Sequence, residues 1–324
     1  MGVLTRGFGM RPPAPVILHS APLVLPVAAP PLRDGAVVVR GERVLQVGPR
    51  PDLLALFPVE EEIRWPGMIT PGLVDACRTG PLGPGVTWAA DVGEHDRPGG
   101  VTYLEVGCAS EQAWEERERD ALITALREHA GPVGVAAHAA DPQVLEDLAV
   151  LARTFGFRLM ADLRRRSPAV LDEAGVLGPH CHLTRPGLLG PGERKLLRLR
   201  GCSVALPGGD ASALVEEGNP IAMGGPPLAA ARAVRQATRL TRLERVLVEA
   251  ATLGGARALG RAAGPGRIGT LGPGSRADLA VFDTRGGRHP YAALLDQPPV
   301  LGTVIGGALT PAPSGGAERR EEAG

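Results

Sequence analysis

Pro66-Gly67-Met68-Ile69-Thr70-Pro71-Gly72-Leu73-Val74-Asp75-Ala76 is the stretch from which the fold is read. Gly67 to Val74 is a β-rich run punctuated by Gly and Pro. It opens a middle region, about 67 to 263, in which strand and helix patterns alternate. Further strand candidates are Thr87 to Val92, Val101 to Val106, Val133 to Ala137, Arg158 to Asp162, Ser203 to Leu206 and Pro220 to Met223, with a short one ending near His180. Helical periodicity lies between them at Gln143 to Thr154, Gly192 to Arg198 and Ala229 to Leu259. Repeated βα units imply a parallel sheet with right-handed crossovers, and this many units favour a closed barrel over an open sheet. The fold class expected is therefore α/β, a (β/α) TIM-type barrel over 67–263.

On the N-terminal side, Ala36 to Val39 and Arg43 to Val47 are short strands joined by the hairpin signal Arg40-Gly41-Glu42. On the C-terminal side, Ala277 to Phe282 and Val300 to Ile305 have the same character. Residues 14–66 and 264–310 are thus expected to build one small β-sandwich domain from both ends of the chain. The ranges 1–13 and 311–324, the latter rich in Gly, Ala, Glu and Arg, are expected to be flexible.

Composition narrows the function classes. The 324 residues carry 35 basic and 35 acidic side chains, which gives no electrostatic case for nucleic acid or an acidic membrane surface. No apolar run is long enough to span a bilayer, and the prolines within Ala14 to Pro31 argue against a secretory segment. Cys77, Cys108, Cys181 and Cys202 lie far apart, as in a chain with reduced thiols, so a cytoplasmic location is expected. The Gly-rich stretches Pro207-Gly208-Gly209 and Gly224-Gly225-Pro226-Pro227 lack the Lys-Ser/Thr pair and the spacing of phosphate loops.

Three segments carry a family resemblance. They are Arg33 to Val39 with Val47-Gly48 and Pro66 to Ala76; Glu249-Ala250-Ala251-Thr252-Leu253-Gly254-Gly255-Ala256-Arg257-Ala258-Leu259-Gly260; and Ile268 to Asp283. Together they resemble the amidohydrolase superfamily in its branch of deaminases and related C–N bond hydrolases, which includes aminofutalosine-deaminase-like proteins. The resemblance implies a zinc or iron ion at the C-terminal mouth of the barrel, held by histidines and an aspartate, whose water becomes the attacking hydroxide.

Position by position, this chain departs from that pattern. Where the family has two histidines after its first barrel strand, Cys77 and Thr79 stand here, with Arg78 between them. The next histidine ligand becomes Asp162, and the proton-shuttling glutamate three residues on becomes Arg165, which stays charged and cannot exchange protons. The final aspartate aligns with Pro226. His138 resembles a substrate-facing histidine, and His180 resembles one near the metal-bound water, with a one-residue deletion needed to carry that match through His182. The interval from Cys77 to His138 is short for the family, so the barrel is expected to be truncated.

The residues therefore favour a pseudoenzyme, a shortened and degenerate deaminase-like hydrolase inactive as a metallohydrolase, with no cofactor expected. Zinc or iron enters only if the site has been rebuilt around Cys77, His138, Asp162 and His180, which is the alternative of an active hydrolase. A second alternative is a small-molecule or anion-binding protein using Arg78 and Arg165 beside His138 and His180, since guanidinium forks suit carboxylate and phosphate. A homo-oligomer or an active homologue remain as partner classes.

Overall fold

The computed structural model describes residues 14–93, 99–284 and 289–310. The ranges expected to be flexible, 1–13 and 311–324, lie outside the described residues.

Both ends of the chain contribute to one mixed sheet. Its N-terminal strands are β1 (Val16–Val24), β2 (Leu32–Arg40), β3 (Arg43–Pro49), β4 (Glu61–Arg64) and β5 (Met68–Pro71). The C-terminal strands are β14 (Leu279–Phe282), β15 (Val300–Ile305) and β16 (Ala308–Thr310). They run in the order β16-β15-β14-β5-β1-β2-β3, and β4 shares an edge of β1 with β5. The alternation in β2 explains why this layer is closed on both sides. Val37 and Val39 enter one core with Val24, Ile69 and Val281, whereas Ala36 and Val38 enter another with Leu18 and Leu53. Because β5 pairs with β1 and β14, this layer continues to Pro71, past the boundary expected at 66.

The middle of the chain forms eight parallel strands in sequential order: β6 (Leu73–Asp75), β7 (Val86–Val92), β8 (Val101–Val106), β9 (Val133–Ala137), β10 (Arg158–Asp162), β11 (Cys181–Thr184), β12 (Ser203–Leu206) and β13 (Ile221–Met223). The expected shortening falls on the crossovers. Among the described residues no helix separates β6 from β7 or β7 from β8, whereas later strands alternate with helices such as Pro142–Phe155 and Pro191–Arg200. The single helix expected over Ala229 to Leu259 is divided. Pro227–Ala237 ends at an extended Thr238, Arg242 turns left-handed at φ 63°, and a second helical stretch runs over 244–258 with a π-helical turn at Ala250–Gly254.

The ring closes where β6 meets β13. Past the strand ends, the Ala76 N–H donates to the Met223 carbonyl at 2.8 Å and the Gly225 N–H to the Cys77 carbonyl at 3.1 Å. Asp75, 2% exposed, pins both sides, since its Oδ1 accepts from the N–H groups of Cys77 at 3.0 Å and Gly225 at 2.9 Å. The 244–258 helix then lies directly on this seam. A Cβ on Gly254 would sit 2.3 Å from the Ile221 carbonyl oxygen, and one on Gly255 would sit 2.7 Å from Val74 Cβ and 2.9 Å from its carbonyl oxygen. Trp88, Tyr103, Ala136 and Met160 fill the barrel interior, and Ala256, Leu259 and Ile268 plug its base. Trp88 also ties the base to the outer layer, donating from Nε1 to Asp278 at 2.7 Å.

Gly255→Ala forces a methyl group against strand backbone, so it should destabilise the fold by about 1–3 kcal/mol. Urea unfolding monitored by circular dichroism should show that loss, and an unchanged midpoint would mean the helix does not lie so close to β6.

Candidate functional site

The strands run in parallel, so their C-terminal ends form one mouth, and a cavity of about 330 Å³ opens there. Cys77, Arg78 and Thr79 reach it from the turn after β6, Glu105 from β8, His138 from just after β9, and Asp162 from the end of β10. Arg165 and Arg185 complete the rim, while Ala90, Val92 and Met160 supply apolar wall and floor. Six of the residues singled out in the sequence therefore meet in one place: Cys77, Arg78, Thr79, His138, Asp162 and Arg165.

His180 does not join them. It precedes β11 at the opposite, N-terminal end of the barrel, where its carbonyl accepts from the Leu159 N–H at 3.0 Å and its Nε2 is buried without a partner. Burial there, with the charges of Arg158 and Arg153, pushes its imidazole below the ordinary range. The inward-facing histidine of that strand is His182, fully buried. Its Nε2 meets the Ala76 carbonyl at 3.1 Å, which requires the proton on that nitrogen, and its Nδ1 accepts from the Tyr103 hydroxyl at 3.3 Å. Burial pushes the ring down to about 3, aided by Arg158, so it sits in the core as a neutral structural group. Pro226 likewise turns away, onto a separate cavity walled by Pro84, Pro298 and Pro299.

Around the mouth, charges are paired across neighbouring strands. Arg78 Nε donates to the buried Asp91, and its Nη1 to the Gly80 carbonyl at 2.6 Å. Asp162, 4% exposed, accepts from the Arg164 N–H at 2.9 Å and from Arg185 Nη1 at 3.0 Å. His138 Nδ1 lies 2.8 Å from Glu105 Oε1. Glu105 was the less legible partner, yet the alternation Val101, Tyr103, Glu105 along β8 places the carboxylate on the same inward face as the core residues before it.

The metal that the resemblance implies does not fit this arrangement. Both Asp162 oxygens are engaged by donors, Pro226 has none to offer, and Thr79 is a weak ligand. Among the described residues no group of three His, Cys, Asp or Glu side chains is placed to hold a metal ion. Guanidinium groups stand around the cavity instead, those of Arg78 and Arg185 held by carboxylates.

Comparison with known proteins agrees with the architecture. The profile of the imidazolonepropionase-like composite domain of bacteria matches residues 35–58. An imidazolonepropionase of Chloroflexus aggregans is 34% identical over 113 residues, covering 30% of this chain. The chain spans only 25% of that relative's length in the match. Among solved structures, a zinc-bound adenosine deaminase of Xanthomonas campestris superposes with a TM-score of 0.75 at 19% identity, over 92% of this chain and 93% of that one. An aminofutalosine deaminase of Helicobacter pylori gives 0.73 at 15% identity, over 91% and 100%. A zinc-bound atrazine chlorohydrolase of Arthrobacter aurescens gives 0.73 at 16% identity, over 90% and 94%. The chain has the barrel-plus-outer-layer fold of these enzymes.

Cys77 is the remaining group with nucleophilic chemistry at the mouth. Burial pushes its thiol upward, and Arg185 and a hydrogen bond to Thr184 only partly offset this, so the reactive thiolate is disfavoured. Iodoacetamide at pH 8 should therefore label Cys77 more slowly than free cysteine. Peptide mass spectrometry checks this, and rapid selective labelling would restore Cys77 as a candidate nucleophile.

Proposed function

We propose that this chain descends from metal-dependent amidohydrolases of the deaminase and C–N hydrolase branch, no longer performs metal-assisted hydrolysis, and keeps the barrel mouth as a binding pocket. The observation that carries the reading is Asp162. The resemblance sets it against a metal-binding histidine, and its carboxylate is turned to Arg185 and the Arg164 N–H.

The chemistry follows from that contact. Metal-assisted hydrolysis needs a bound water whose pKa is lowered to about 7 and a neighbouring group that moves its proton. The resemblance sets Arg165, on the rim of the cavity, against the proton-shuttling glutamate, and a guanidinium stays protonated throughout the physiological range. Losing positioned proton transfer alone costs a factor of about 10² to 10⁴ in rate, and losing the metal removes the nucleophile as well. The pocket itself survives, because its walls are the ends of strands held by the core beneath them.

Ammonia release from adenosine and from aminated heterocycles, assayed with added zinc or ferrous iron, should match the protein-free rate. Turnover that requires added metal and disappears in Asp162→Ala would contradict the proposal.

A further inference from the structure

At the mouth, two guanidinium groups are paired to carboxylates and, among the described residues, that of Arg165 is not. Arg78 is held by Asp91, Arg185 by Asp162, and Glu105 by His138. Arg165 is exposed on the rim, and its guanidinium makes no ion pair or side-chain hydrogen bond among the described residues. It also walls a second, adjoining cavity of about 220 Å³ between the 163–168 turn and the 187–193 segment. The neighbouring Arg164 likewise makes no side-chain ion pair among the described residues, and Arg166 uses its guanidinium on the carbonyls of Arg165 at 2.8 Å and Ala140 at 2.7 Å. The acidic residue on that second wall, Glu193, is turned to the Gly190 N–H at 2.8 Å.

A free guanidinium fork therefore stands between two hollows, beside a floor of Ala90, Val92 and Met160. The larger hollow is at the small end of ligand pockets, which run to about 300–1,000 Å³ and combine apolar walls with few placed polar groups. Its planar donors suit an oxyanion, and its floor suits a short apolar body. Resting on the reading that the mouth holds no metal, we propose that this cavity binds a small organic oxyanion, with its anionic group on Arg165 and its body over Met160, Ala90 and Val92. A carboxylate and a phosphoryl group share the chemistry that Arg165 recognises.

Isothermal titration of the full chain, treated with EDTA and dialysed, tests this with sodium benzoate and inorganic phosphate as separate arms and benzamide as the neutral counterpart. At least one anion should bind saturably while benzamide gives no heat, and the arm that responds identifies carboxylate or phosphoryl. Arg165→Ala should weaken binding about tenfold or more, as expected for loss of a charged hydrogen bond. Arg165→Lys should fall between the two, and Arg232→Ala, on the exposed side of the 227–237 helix, should leave binding unchanged. Silence from both anions up to tens of millimolar, or binding indifferent to Arg165→Ala, overturns the inference alone. Benzoate binding that appears only after zinc is restored overturns the metal-free reading as well.

Discussion

The seam between β6 and β13 is the constraint on which the rest of the structure depends. A parallel barrel exists only if its first and last strands meet, and here they are short, Leu73–Asp75 and Ile221–Met223. Asp75 bridges them with a buried carboxylate, at the cost of burial that lifts its pKa to about 6 against the pull of the two N–H groups it accepts from. The glycine pair Gly254-Gly255 then lets a helix lie against both strands, where any side chain would meet backbone. Gly269, at φ 79°, continues the same contact, since a Cβ there would lie 2.8 Å from Leu253 Cα.

That geometry gives the three family-like segments a physical meaning. Gly67 packs on the Phe282 carbonyl, Val74 on Gly255, and Gly269 on the Thr252-Leu253 backbone, so the segments touch one another around the seam and the outer layer. They specify how the barrel closes and how its base meets the composite sheet. The mouth borders this seam at Cys77, whose backbone takes part in the closure, while Glu105, His138, Asp162 and Arg165 line it from other strands. A chain can therefore keep the fold of zinc-bearing deaminases while the resemblance sets Cys77, Thr79, Asp162 and Pro226 against its ligand positions.

Much of this was legible in the sequence because strands buried on both faces read as short apolar runs with Gly and Pro at their ends. Six of the eight barrel strands coincide with such runs, whereas the run 67–74 divides between β5 and β6 and β11 begins after the strand end expected near His180; the pairing of the terminal segments followed from their shared β character. Helices were less legible. The stretch 111–128 is strongly charged, and its apolar positions are few, with Trp114 and Leu122 as the buried anchors. The break between Ala237 and Glu244 depends on a left-handed Arg242 that propensity does not foresee. Within the site, Cys77, His138, Asp162 and Arg165 were singled out through the family resemblance, and all four line the mouth. His180 was misplaced because strand periodicity cannot say which end of a short strand a flanking residue occupies, and β11 begins after it. The partners Asp91 and Glu105 depend on strand neighbours, which only the assembled barrel brings together.

The account rests on a mouth organised by guanidinium groups and paired carboxylates in place of a metal. Metal content by plasma mass spectrometry, on protein purified without chelator and without added metal, tests that most directly. The account predicts zinc and iron far below one ion per chain in well-folded protein. Near-stoichiometric zinc or iron would contradict it, and would mean that Cys77, His138 and Asp162 rearrange into a ligand set.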